Sequence, residues 1–189
     1  MSTNRILAIA AGALGALALF GGDTPAPGAP GVISALEVAR ELRADPDAIH
    51  ILDIRDEAAY RDFHLPRAVL APADPEALVA SLAEADPRTD LVVVAGGPDA
   101  EPRAAWLALR GAGFIRARYL PDATAAWVDA IVSPVLPADA DARTRAAWEV
   151  HAELSRYFGG FPRVGTAADR PADDAADRLR QARRRGCAF

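Results

Sequence analysis

The hydrophobic positions of this 189-residue chain fall into two kinds of pattern. Residues 6–20 form an unbroken run of Ile, Leu, Ala, Gly and Phe, extended by Gly21 and Gly22, with no polar face. After residue 31 the apolar positions instead come in short blocks of alternating period, β-branched runs followed by helical stripes. Ser34 with Glu37 three positions on is a capping box. Ala35, Leu36, Val38, Ala39 and Leu42 continue it as a helix ending near Asp45-Pro46. Residues 49–54 (IHILDI) are nearly all apolar and β-branched, which suits a strand buried on both faces. A short helix at 56–62, a short strand at 68–71 and an amphipathic helix at 75–85 behind Asp74 follow. Residues 91–95 (LVVVA) are the most strand-like run, 100–112 predict a helix closed by Gly113, and 115–120 and 123–132 supply one more strand and helix. The alternation predicts an α/β fold: a mostly parallel central sheet of about five strands flanked by helices.

The same pattern divides the chain. Residues 1–22 are a membrane anchor or signal segment, 23–31 (DTPAPGAPG) a linker, 32–133 the domain, 134–164 a C-terminal helical extension and 165–189 an Arg-rich tail. In the extension, residues 134–137 read as a connector. Residues 141–158 read as a helix with Ala147, Val150, Leu154, Tyr157 and Phe158 on one face, packing back on the domain. The run 6–20 is short for a spanning helix and close to a signal-peptide core, so a retained anchor and a cleaved signal both stay open. No small-x-small cleavage site follows before the linker, which favours the anchor. Arg5 is the only charge before the run, and positive charge stays cytoplasmic. The expected location is therefore the inner membrane with the domain facing the periplasm, or the periplasm itself after cleavage.

Composition then removes several functions. A net charge of −5 with Asp, Glu and Arg evenly mixed gives no basic stripe, so no nucleic-acid partner is expected. Lysine is absent, which excludes Schiff-base chemistry and a P-loop lysine. Cys187 is the only cysteine, so no intrachain disulfide or Cys-rich metal site can form; His50 and His151 have no partners at metal-ligand spacing. No cofactor and no metal are expected.

Asp53-Ile54-Arg55, Tyr60 and His64-Leu65-Pro66-Arg67-Ala68 resemble the rhodanese family signature, in which an Asp-x-Arg strand end leads to a Gly-His-Ile-Pro-Gly-Ala turn. Leu91 to Val94 are similar to that family's central strand, and Ala104 to Phe114 to the helix after its active-site loop. Leu120 to Trp127 (LPDATAAW) are similar to its closing Leu-Asp-Gly-Gly-x-x-x-Trp segment. Four segments in the correct order make coincidence improbable. Ser155 to Gly160 and the terminal Arg-Arg-Arg-Gly-Cys are also similar to segments of some membrane-anchored rhodanese-like proteins of bacteria.

The resemblance implies a sulfurtransferase fold in which a loop cysteine forms a persulfide, held by backbone N–H groups at the start of the next helix. Here Gly96 falls at the cysteine position, or Ala95 if one residue is gapped, and neither can be a nucleophile. The binding loop Gly96, Gly97, Pro98, Asp99, Ala100, Glu101, Pro102 contains two prolines without N–H and two carboxylates that repel anions. Glu101 stands where the family commonly has an arginine. Asp99 reads as the N-cap of the next helix, with Glu101 and Pro102 in its first turn. Asp53, Arg55, His64, Pro66 and Trp127 read as structural members of the signature rather than as catalysts. The one candidate catalytic residue is Cys187, whose thiol pKa nearby Arg180 and Arg183 to Arg185 would lower. A tether-bound, catalytically inactive module with a protein partner or a small anion is the first expectation. A sulfurtransferase or sulfane-sulfur carrier using Cys187 is the second.

Overall fold

The computed structural model describes residues 29–165 apart from Pro98. The apolar run at 6–20 and the tail with Cys187 lie outside those residues. Among the described residues no helix is long and apolar enough to cross a membrane.

The elements run α1 (Ala35–Ala44), β1 (Ile49–Asp53), α2 (Glu57–Asp62), β2 (Val69–Leu70), α3 (Pro75–Ala80), β3 (Leu91–Ala95), α4 (Pro102–Gly111) and β4 (Arg118–Leu120). Then come α5 (Ala123–Trp127), a π-helical turn (Val128–Val132), β5 (Val135–Pro137), α6 (Ala142–Tyr157) and β6 (Arg163–Gly165). The central sheet is wholly parallel, in the order β2-β1-β3-β4. Its two middle strands read as buried for the expected reason: every residue of β3 is buried, and β1 is buried except at His50. The capping box forms, with the Ser34 hydroxyl at the Glu37 amide and the Glu37 carboxylate at the Ser34 amide.

The sheet has four strands, not about five. Beyond them, a single parallel bridge joins Val32 to Tyr119 at the β4 edge. Instead, the segment expected to be a connector is β5, which pairs in parallel with β6 as a separate ladder. Nothing in residues 134–137 announces this, because the partner lies beyond a whole helix and each strand has three residues. The strand expected at 115–120 begins only at Arg118, and Ile115 is exposed. The helix expected at 75–85 ends at Ala80, and Leu82 and Ala85 beyond it still pack in the same layer.

Two apolar layers sandwich the sheet. One joins Ile49, Ile51, Val93, Trp127 and Ile131 with α1 and Leu154 of α6; the other joins Leu52, Val92 and Val94 with Leu78, Leu109 and Phe114. α6 docks through Ala152, Leu154 and Ser155, while Ala147, Val150 and Tyr157 face solvent. The expected stripe was thus rotated, and the reason is polar. The last carbonyls of the π-helical turn lack helical partners, and the C-terminal extension supplies them. His151 Nε2 donates to Ala130 O, Ser155 Oγ to Ile131 O at 2.6 Å, and the Phe161 amide to Val132 O at 2.8 Å. A Cβ at Gly160 would strike Ile131 O, so this close approach needs glycine.

Burial holds the His151 pKa below its ordinary value, with the Ala130 carbonyl opposing and Arg40 reinforcing the shift. Below about pH 6.5 the unfolded chain therefore takes up a proton that the folded chain resists. Stability contributed by neutral His151 is present above that pH and is lost as pH falls through the folded pKa. The thermal midpoint should drop between about pH 7 and 5, and His151→Gln should flatten that drop; an equally steep profile in the variant contradicts the assignment.

Candidate active-site loop

The carboxyl ends of β1 and β3 meet the start of α5 around one guanidinium. Asp53, the last residue of β1, is wholly buried, and Arg55 is 10% exposed. Arg55 Nε and Nη2 donate to the two Asp53 oxygens at 2.9 and 2.6 Å, closing a bidentate pair across one intervening residue. Nη2 also donates to Phe63 O at 2.6 Å and Nη1 to Thr124 Oγ1 at 2.6 Å. Arg55 thus ties the strand end to the C-cap of α2 and the first turn of α5. The Asp53 and Arg55 spacing was visible in the sequence; Thr124 and the Phe63 carbonyl were not, since no local rule links residues so far apart.

The signature turn is held separately. Tyr60 donates its hydroxyl to Ala68 O at 2.8 Å and stacks on His64, ring centroids 4.2 Å apart. His64 Nδ1 lies 2.9 Å from Tyr60 O and donates to it, so His64 is a strut in this geometry. Pro66 precedes Arg67, which adopts φ 63°, a left-handed conformation where the resembled turn has glycine. Trp127 is wholly buried and meets the Phe158 ring edge-on at 5.3 Å; its Nε1 has no hydrogen-bond partner.

The loop after β3 folds onto itself. The Gly96 amide donates to Leu120 O at 3.0 Å, and Gly96 O accepts from Ala123. Gly97 and Ala100 exchange amide-to-carbonyl bonds, both 3.1 Å, as an isolated antiparallel bridge. The amide of Arg103 is taken by Glu101 Oε1 at 2.9 Å. These four N–H groups are spent within the protein, and the prolines at 98 and 102 have none to offer. The N-cap of α4 is Glu101, not Asp99. Pro102 occupies the first turn of α4, so the cap falls on the residue before it, and Asp99 is left exposed two residues upstream.

Ala95 is a buried strand residue paired with Asp53 and Leu120. At Gly96 a Cβ would lie 2.5 Å from both Ala100 O and Pro102 Cδ. At Gly97 it would lie 2.9 Å from Arg55 Cδ. The position expected for a nucleophile therefore has no volume for a side chain, and the carbonyl facing it is electronegative. Cys187 lies outside the described residues. Among those residues no three His, Cys, Asp or Glu side chains group as a metal site. His50 pairs with Asp90 at 3.1 Å, and His151 is engaged with Ala130.

The rhodanese-like domain family model matches residues 34–130, just over half of the chain. The chain belongs to the rhodanese-like domain family. The crystal structure of the Alr3790 protein from Anabaena sp. is similar at 30% identity, covering 46% of this chain and 75% of that one, with a TM-score of 0.40. No curated protein matches. The family match stops at Ala130, the carbonyl that His151 caps. In this rhodanese-like domain the matched part is accordingly completed by polar contacts from α6.

A buried pair that loses one partner leaves an uncompensated charge. Arg55→Met should lower unfolding stability by about 3–5 kcal/mol, read by denaturant unfolding. The double variant Asp53→Leu/Arg55→Met should recover part of that loss. A single variant within about 0.5 kcal/mol of the parent, the size of an ordinary surface change, contradicts the role given to Arg55.

Proposed function

We propose that this rhodanese-like domain works as a binding or regulatory module, tethered to a membrane by residues 6–20, and does not transfer sulfur through its loop. The observation that carries this reading is the contact at Gly96, where Ala100 O and Pro102 Cδ stand 2.5 Å from any added Cβ. Sulfur transfer of the family kind needs a thiolate that takes sulfane sulfur from thiosulfate, releases sulfite, and hands the sulfur to cyanide as thiocyanate. It also needs N–H groups free to hold the charged intermediate. The loop offers glycine where the thiolate would stand, and the Gly97 and Ala100 amides are bonded to each other's carbonyls. Glu101 adds a carboxylate at the mouth, its oxygen directed to the Arg103 amide. Anion capture in the loop is disfavoured on the same grounds, which leaves a protein partner as the stronger reading. The competing reading, a sulfur carrier at Cys187, predicts a different outcome in one assay.

Purified protein given thiosulfate and cyanide should form no thiocyanate above a protein-free control. Thiocyanate abolished by Cys187→Ser would favour the carrier reading and overturn this one. Gly96→Cys should not create activity, because the added side chain has no space; it should instead lower the thermal midpoint by several degrees. Robust thiocyanate formation by that variant would show that the loop can open.

A further inference from the structure

The face built by α4 and the turn after it carries charge opposite in sign to the rest of the chain. Residues 102–121 hold Arg103, Arg110, Arg116 and Arg118 and no carboxylate, while the remaining seventeen arginines stand against all twenty-six Asp and Glu residues. Arg103, Leu107 and Arg110 are spaced four and three positions apart on α4 and share its exposed side. Arg110 Nη1 donates to the Phe114 and Ile115 carbonyls, which sets Ile115 beside that side, and Arg116 Nη1 donates to Thr89 O at 2.5 Å. Leu107 and Ile115 are 53% and 54% exposed. A Cβ added at Gly111 or Gly113 between them would meet nothing within 4 Å, so the surface there is open. Among the described residues none of these arginines is in an ion pair. The carboxylates of the adjoining segments are engaged: Glu101 accepts from the Arg103 amide, Asp86 from the Arg88 amide, and Asp90 from the Asp86 amide while it pairs with His50.

We infer that this α4 face lies on an anionic lipid surface, with Arg103, Arg110 and Arg116 at the headgroup phosphates and Leu107 and Ile115 at the edge of the acyl region. The choice of lipid rests partly on the proposed tether at residues 6–20. The chain enters the domain beside this face, because the backbone of Gly31 lies directly against the Trp106 ring, one residue before Leu107 on α4. The Tyr119 amide donates to Gly31 O at 2.8 Å and fixes that entry point to β4. The eleven residues from Phe20 to Gly31 span at most about 40 Å. A tether of that reach holds the face near a bilayer at an effective concentration of about a millimolar, so a weak attraction suffices. Charge then orients the domain. Each arginine at an anionic leaflet favours contact about fivefold, and the carboxylate excess on the rest of the chain is repelled from the same surface. Arginines flanking exposed Leu and Ile on an open helix side are also the composition that settles into a headgroup layer.

The full chain in vesicles tests this. In a Cys187→Ser background, a thiol-reactive fluorophore at Gly111→Cys reports the α4 face, and one at Val150→Cys reports α6, which packs on the opposite side of the sheet. Vesicles of phosphatidylcholine and phosphatidylglycerol carrying a headgroup nitroxide lipid should quench the residue 111 label at least about threefold more than the residue 150 label. That ratio should fall to about one in pure phosphatidylcholine and in about 0.5 M salt, where screening removes the attraction. It should fall likewise in Arg103→Gln/Leu107→Ser, which changes two exposed residues outside both apolar layers. Equal quenching of the two labels with phosphatidylglycerol present, in a chain that floats with the vesicles, overturns the inference while the tether stands, and is the result expected of a face that takes an acidic protein. A chain that floats only with phosphatidylglycerol vesicles, its residue 111 label still the more quenched, removes the tether and supports the face. A chain that floats with neither composition overturns both.

Discussion

A carboxylate with no exposed surface persists at the end of β1 only because a guanidinium meets both of its oxygens. Desolvating Asp53 and Arg55 separately would cost several kcal/mol each, and their mutual contact offsets this only with good geometry and further hydrogen bonds. Both conditions hold here. The same guanidinium takes the Phe63 carbonyl and the Thr124 hydroxyl, so β1, α2 and α5 are fixed to one another at one point. The stem of that side chain also packs beneath Gly97. The position of the loop after β3 is therefore inherited from an ion pair in a different strand.

What this arrangement builds is a strand end covered by a loop that folds back on its own backbone. A loop that binds an anion must turn several N–H groups inward and leave them unpaired. Here Gly96 and Gly97 give their amides to Leu120 and Ala100, and Glu101 closes the start of α4. Glycine at residue 96 matches its surroundings. Pro102 packs into the space that a side chain at residue 96 would need, so scaffold and loop agree with one another.

Much of this was legible because it is local. The capping box at Ser34, the N-cap at Asp74, buried β-branched runs and the Asp53, Arg55 spacing are encoded within a few residues of where they act. The family resemblance added the order of elements and the empty cysteine position. What escaped depends on partners far along the chain. The β5 and β6 ladder joins segments across a helix, and the burial of α6 is set by carbonyls of the π-helical turn rather than by an apolar stripe. Asp99 is the better capping residue by type, but Pro102 at the first helical position moved the cap to Glu101. Arg67 shows the reverse case: a residue whose type argues against left-handed backbone sits there because the turn between Tyr60 and Ala68 is pinned at both ends.

The central claim is that the Gly96, Gly97, Ala100 and Arg103 amides are already satisfied within the protein and are not turned to an anion. Amide chemical shifts followed by NMR during titration with thiosulfate, sulfite or phosphate read this directly. The account predicts no saturable shift at Gly96, Gly97, Ala100 or Arg103, and slow hydrogen exchange at the Gly97 and Ala100 amides. A saturating response confined to those amides, with fast exchange in the free protein, would show an open anion site and contradict it.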